Sequence, residues 1–124
     1  MSNIIKALTQ RLQLNEALTP DTISGSIVFD PDFPGFQGHF PGNPILPGAC
    51  LIETAVQLLS CGTKKNLQLS EAANVKFFSP VSPGDKVKLD FNIETPSDII
   101  VATGTMLSGK RKICTVKLKM TVVK

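Results

Sequence analysis

The chain has 124 residues and a formal net charge of +3, with 42% hydrophobic residues, three cysteines and one histidine. A length and apolar content of this order predict one domain, residues 1–124, with its own core and no long disordered region. The basic residues form no dense run, which disfavours a nucleic-acid-binding protein. An odd, irregularly spaced set of cysteines beside a single histidine disfavours both a disulfide framework and a zinc site.

The apolar segments disfavour two further classes of protein. The stretch "MSNIIKALTQRLQL" has no continuous apolar core and no small-residue cleavage site, so a secretory signal is not expected. The apolar run from Ile45 to Cys61 is interrupted by Pro47, Glu53 and Gln57, so a membrane span is not expected. The sequence therefore predicts a soluble, cytoplasmic protein that binds neither nucleic acid nor membrane.

Apolar periodicity predicts a helix and a strand before a long loop. Residues 3–18 carry a loose helical stripe that ends before Pro20. Residues 21–29 alternate as a strand. Four of its residues share one face, namely Ile23, Gly25, Ile27 and Phe29. Residues 30–48 hold nine of the eighteen glycines and prolines, which predicts a structured loop of the kind that is often functional.

A long buried helix is predicted next, from Gly48 to about Thr63, with Pro47 at its start and Gly62 as its stop. The helix is apolar nearly all round except for one polar stripe, formed by Glu53, Gln57 and Ser60. Four antiparallel strands are then predicted in residues 74–81, 86–94, 98–107 and 112–123. A curved antiparallel sheet that wraps a buried helix is an α+β fold.

The segment "GHFPGNPILPGACLIE" gathers a base, an acid and backbone donors. His39 is the only imidazole and can act as a base near neutral pH. Glu53 lies in a buried helix, where desolvation is expected to raise its pKa and keep it protonated. The N–H groups of Gly48, Ala49 and Cys50 are expected to lack intrahelical partners and to bind a carbonyl oxygen that gains negative charge. This combination suits proton abstraction next to a carbonyl and loss of a β-hydroxyl.

These residues also have structural alternatives. A lone histidine is more often structural than catalytic, and Glu53 can reach solvent or a lysine past the helix end. Gln57 shares the face of Glu53, so its amide can orient the carboxyl group. Cys50 is a rival nucleophile, because the first helical turn stabilises a thiolate and His39 can pair with it. Cysteine is equally a common small core residue.

The stretch "GHFPGNPILPGACLIETAVQ" resembles the signature of the β-hydroxyacyl-acyl carrier protein dehydratases of bacterial type II fatty acid synthesis. The matching positions are His39, Phe40, Pro41, Gly42, Pro44, Pro47, Gly48, Glu53 and Gln57. A second stretch, "NVKFFSPVSPGDKVKLD", is similar to the strand and turn that follow the central helix in that family. The resemblance therefore covers roughly residues 20–95.

This resemblance implies a hot-dog fold, in which an antiparallel sheet wraps a long central helix. It implies a lyase that dehydrates 3-hydroxyacyl-acyl carrier protein thioesters to trans-2-enoyl thioesters in fatty acid or related lipid biosynthesis. His39 matches the catalytic histidine, Glu53 the catalytic acid, and the N–H of Gly48 the donor to the thioester carbonyl. Further expected substrate-binding residues are Ala49, Gln57 and Phe40. No metal or redox cofactor is implied, because the substrate arrives on the phosphopantetheine of acyl carrier protein.

The same resemblance implies an assembly and leaves two other functions open. In that family the histidine and the acid of one site come from different subunits, so a homodimer is expected, and relatives also form trimers of dimers. Two departures are a missing basic residue before the Pro-Val of "KFFSPV" and Thr54, which is expected to add a hydroxyl beside the site where alanine is usual. A hot-dog acyl thioesterase would use Glu53 to activate water. A non-catalytic acyl-thioester binding module would need the binding site but not the acid–base pair.

Overall fold

The computed structural model describes residues 2–16, 19–36 and 45–123, and within these ranges the chain forms two α-helices and one six-stranded sheet. The helices are α1 (Ser2–Arg11) and α2 (Gly48–Thr63), and a short 3-10 helix spans Pro34–Phe36. The strands are β1 (Gln13–Leu14), β2 (Thr22–Phe29), β3 (Leu67–Phe77), β4 (Asp85–Glu94), β5 (Ile99–Ser108) and β6 (Arg111–Val122). His39 and Phe40 lie outside the described residues.

The sheet is antiparallel throughout, with the strand order β1-β2-β4-β5-β6-β3. β4, β5 and β6 follow one another through short turns, as the alternating sequence predicts. β3 directly follows α2 in the chain but pairs with β6, so it forms the far edge of the sheet. This connection places α2 across one face of the sheet, with β3 as an open edge beside it.

The core lies between α2 and the inner face of the sheet. The four β2 residues that were predicted to share a face are all buried, and α2 contributes Ala55, Leu58 and Leu59 with no exposed surface. Gly25 permits this close approach, because a Cβ at that position would lie 2.6 Å from the side chain of Leu58. The predicted α+β architecture, an antiparallel sheet around a buried helix, is confirmed.

One predicted helix end and one predicted stop residue are wrong. The first helix ends at Arg11 rather than near residue 18, because Gln13 and Leu14 leave it to pair with β2. The central helix passes through Gly62, and Lys64 closes it in a left-handed conformation with φ 58°. Gly62 is needed for packing instead, since a Cβ there would lie 2.7 Å from the side chain of Ile23.

β3 is longer than predicted, because it begins at Leu67 rather than at residue 74. Its sequence lacks the alternation that marks a half-buried strand, since most of its residues are exposed on both faces. Exposure on both faces fits a strand at the edge of the sheet.

In the described ranges, neither helix combines the length and the apolar character that crossing a membrane requires.

Candidate active site

Helix α2 carries the predicted acid on the side that faces β3. Glu53 and Gln57 are one turn apart on this helix, and both are half-buried. They line a groove of about 600 Å³, which we name the acid groove. Its other lining residues are Ile5, Ala49, Ile52, Val56, Asn66, Leu67, Gln68, Leu69 and Val123. The structure therefore brings together three predicted site residues, Ala49, Glu53 and Gln57.

The start of α2 differs in one respect from the prediction. Pro47 is the cap residue and makes no side-chain hydrogen bond to the first turn. The N–H of Cys50, however, donates to the carbonyl oxygen of Pro47 at 3.0 Å, so the expectation that it lacks an intrahelical partner is wrong. The N–H groups of Gly48 and Ala49 precede this first bond, and they are the donors that can receive a carbonyl oxygen.

A second groove, of about 410 Å³, meets the start of α2 beside Gly48. We name it the aromatic groove, and its lining residues are Ile45, Leu46, Gly48, Leu51, Phe77, Phe78, Ser79, Pro80 and Val81. Phe77 and Phe78 are 50% and 53% exposed. Sequence reasoning did not identify these two residues as part of a site, although the departure in "KFFSPV" marked the position.

Cys50 does not have the properties of a nucleophile. The residue is buried, and burial raises the pKa of its thiol above the ordinary value of 9.0, with the negative charge of Glu53 as the second cause. A nucleophilic cysteine needs the opposite shift, toward a stable thiolate. The geometry favours the alternative of a small core residue.

Thr54 does not place a hydroxyl beside the site, in contrast to the prediction. Its side chain is fully buried, and its hydroxyl donates to the carbonyl oxygen of Cys50 at 2.6 Å, one turn earlier in α2. The hydroxyl is satisfied within the helix and faces the core.

A metal site is not formed by the described residues, since no three of their His, Cys, Asp and Glu side chains come together. The predicted site groups that lie in the two grooves are the carboxyl of Glu53, the amide of Gln57 and the backbone N–H groups of Gly48 and Ala49. This arrangement can hold a carbonyl compound near a proton donor or acceptor. His39 lies outside the described residues, so its distance to these groups is not given by the structure.

Comparison with known proteins gives the chain a family context. A family model described as "ApeI-like: ApeI dehydratase" matches residues 15–114. The "3-hydroxyacyl-[acyl-carrier-protein] dehydratase FabZ" of Enterococcus faecalis is 37% identical over 95 residues, which are 70% of this chain and 66% of that protein. The protein of the same name from Caulobacter vibrioides is 35% identical over 69 residues, which are 48% of this chain and 43% of that protein. The match thus spans less than two thirds of the length of either relative.

Solved structures with the same fold carry more than one function. The "Dehydratase Heterocomplex ApeI:P" of Xenorhabdus doucetiae matches with a TM-score of 0.72 and 23% identity, over 86% of this chain and 92% of that chain. A "Hypothetical Thioesterase Protein with Coenzyme A" from Streptococcus pneumoniae matches with a TM-score of 0.73 and 12% identity, over 98% of this chain and 92% of that chain. At these identities the likeness shows the fold alone. The expected hot-dog fold is confirmed.

Proposed function

Because the chain belongs to the ApeI-like dehydratase family, we propose that it is a lyase that converts 3-hydroxyacyl thioesters to trans-2-enoyl thioesters. The observation that carries this proposal is the carboxyl group of Glu53, half-buried in a groove beside the uncapped start of α2. An acid in that position can protonate a leaving hydroxyl while the helix start binds the adjacent carbonyl oxygen.

In the proposed reaction His39 removes the proton from the carbon next to the thioester carbonyl. The electron pair of that C–H bond forms the new double bond, and the C–O bond to the β-hydroxyl breaks. Glu53 gives its proton to the departing oxygen, so water leaves. The thioester oxygen gains negative charge during the step, and the N–H groups of Gly48 and Ala49 stabilise that charge. The proposed reaction uses only side chains and backbone N–H groups of the protein, so it requires no cofactor.

We further propose that the working unit is a homodimer joined through β3. This strand is an edge of the sheet, with its outer ladder of N–H and C=O groups open to a second chain. Large apolar residues are exposed on this strand and at the adjoining end of the chain, namely Leu69, Val122 and Val123. A second copy would cover them.

Antiparallel pairing of two β3 strands would join the two grooves across the interface. The aromatic groove lies at the Phe77 end of the strand, and the acid groove lies at the Leu67–Leu69 end. Pairing about the middle of β3 places the Phe77 end of one subunit beside the Leu67–Leu69 end of the other. Gly48 of one chain would then face Glu53 of the partner subunit. A site shared in this way needs both chains.

The carrier of the acyl group is proposed from the relatives. The curated relatives are named 3-hydroxyacyl-[acyl-carrier-protein] dehydratases, so we infer that acyl carrier protein delivers the thioester here as well. A second candidate function is hydrolysis, because a structure with the same fold is named a thioesterase. In that reaction Glu53 would activate water, and a free thiol would be released.

Product analysis separates these functions. The purified chain is incubated with the N-acetylcysteamine thioester of 3-hydroxybutyrate, the enoyl product is measured by mass spectrometry, and released thiol is measured with a thiol-reactive dye. We expect loss of water without thiol release in the wild type, and a drop of at least about a hundredfold in His39→Ala and Glu53→Gln. Thiol release would favour the thioesterase. Substrate binding without turnover would favour a binding module.

A further inference from the structure

Phe77 lies directly over the start of α2. A Cβ added to Gly48 would lie 2.7 Å from Cζ of Phe77 and 3.1 and 3.2 Å from the two neighbouring ring carbons. The three atoms nearest to that position therefore all belong to one ring. A side chain larger than hydrogen at residue 48 would collide with this ring. The close contact between the ring and the helix start therefore depends on the glycine.

Both partners in this contact are held in place by backbone hydrogen bonds. Phe77 ends β3, and the next residue, Phe78, donates its N–H to Ile113 at 2.8 Å. On the other side, Leu46 donates its N–H to Val81 at 2.9 Å, which ties the segment before α2 to the segment after β3. The backbone at Phe77 is thus held in position relative to the start of α2.

The free surface of the ring faces the aromatic groove. Phe77 is 50% exposed, and the groove is lined by further apolar side chains such as Ile45, Leu51 and Val81. The ring is half exposed and lies beside two backbone N–H donors. A bound group can therefore make two kinds of contact within a few ångströms. The donors suit a carbonyl oxygen, whereas the ring suits an apolar or sulfur-containing group attached to that carbonyl.

We propose that Phe77 is a positioning residue for the thioester, packing against the sulfur side of the group while the carbonyl oxygen meets the N–H groups of Gly48 and Ala49. This inference rests on the proposed function and adds a specific residue to it. A thioester held on both sides is restricted in rotation, and orientation of the reacting group is a large part of catalytic rate. The ring acts through this restriction rather than in proton transfer.

Phe78 provides a matched control. It is the neighbouring residue, has the same side chain, is 53% exposed and lines the same groove. Its ring lies 5.4 Å from the ammonium of Lys112, and none of the three atoms nearest to a Cβ at Gly48 belongs to it. A general effect of losing apolar surface would therefore appear equally in both variants, whereas positioning of the thioester depends on Phe77.

The test compares kcat and KM of the wild type, Phe77→Leu, Phe77→Tyr and Phe78→Leu with the thioester probe described above. We expect kcat to fall about tenfold more in Phe77→Leu than in Phe78→Leu, with a smaller difference in KM, and Phe77→Tyr, which keeps the ring, to retain more of the wild-type kcat than Phe77→Leu. Equal effects of Phe77→Leu and Phe78→Leu would overturn the inference. If Phe77→Leu does not fold, Phe77→Met keeps the volume without the ring, and the same comparison decides.

A failure of the proposed function would be recognised separately. If the wild type forms no enoyl product, the dehydratase assignment is wrong, and binding of the saturated butyryl thioester is measured by calorimetry instead. The inference then requires that Phe77→Leu binds this thioester more weakly than Phe78→Leu does. Equal affinities of the two variants would contradict it.

Discussion

Burial raises the pKa of the Cys50 thiol, and the carboxylate of Glu53, three positions later on α2, raises it further. The two residues are three positions apart on one helix, so their side chains are neighbours on its surface. The pKa of the Cys50 thiol therefore depends on the charge of Glu53.

Replacement of Glu53 by glutamine is expected to lower the pKa of the Cys50 thiol while leaving it above 9.0, because the charge is lost and the burial remains. The pH dependence of alkylation at Cys50, followed by peptide mass spectrometry, measures this change. Cys114 is the internal control, since burial is the cause of its raised pKa and its titration is expected to stay the same. An unchanged Cys50 titration would show that the carboxyl group lies elsewhere.

Cys114 predicts a loss of stability at alkaline pH. Burial raises the pKa of its thiol from 9.0 to about 11. The unfolded chain therefore loses this proton at lower pH than the folded chain, and the stabilisation is present below pH 9 and lost between pH 9 and about 11. We expect the free energy of unfolding of the wild type to fall by about 2–3 kcal/mol more than that of Cys114→Ala across this range.

Urea titrations at several pH values measure the difference, and Cys61→Ala is the control because Cys61 is exposed. The curve of Cys61→Ala should run parallel to that of the wild type. A parallel curve for Cys114→Ala as well would contradict the prediction.

Thr54→Ala is expected to affect stability and not the reaction. The side chain is fully buried and its hydroxyl is bonded to Cys50 within the helix, so the variant should lose about 1–2 kcal/mol of unfolding free energy through the space it leaves. Its kcat should stay within about twofold of the wild type at a temperature where both are folded. A tenfold fall in kcat would show that the hydroxyl takes part in the site.

The dimer through β3 predicts a different response to charge at two exposed apolar positions. Leu69 lies on the open edge strand and is 37% exposed, whereas Val28 lies on β2 within the sheet and is 45% exposed. Leu69→Lys should give a particle of the 13.3 kDa monomer mass in light scattering, because a buried lysine disfavours the interface. Val28→Lys should keep twice that mass, and dissociation of both variants or of neither would argue against β3 as the interface.

The sequence predicts the parts of the fold that have one buried face. Helix α2 begins at Gly48 and ends at Thr63 as predicted, because a proline before an apolar run marks the start, although Lys64 rather than the predicted Gly62 closes it. The inward positions of β4 follow from strict alternation, with Val87, Leu89 and Phe91 buried. The extent of β3 was not predictable, because an edge strand that is exposed on both faces has no such pattern.

The site was predicted only in its local part. Glu53 and Gln57 share one groove because they are a turn apart on one helix, and this follows from sequence spacing. The contact between Gly48 and Phe77 joins two segments that lie far apart in the chain, so it depends on how β3 pairs with β6. The roles of His39 and Phe40, which lie outside the described residues, stay predictions.

Mixing inactive subunits tests the central claim most directly. His39→Ala and Glu53→Gln chains are unfolded together, refolded and assayed for loss of water from the 3-hydroxybutyryl thioester. In a two-fold dimer with sites shared between subunits, half of a random mixture is mixed dimer and each mixed dimer keeps one intact site, so about a quarter of wild-type activity should return. Activity no higher than that of the two variants alone, beside an active wild type treated in the same way, would contradict a shared acid–base site.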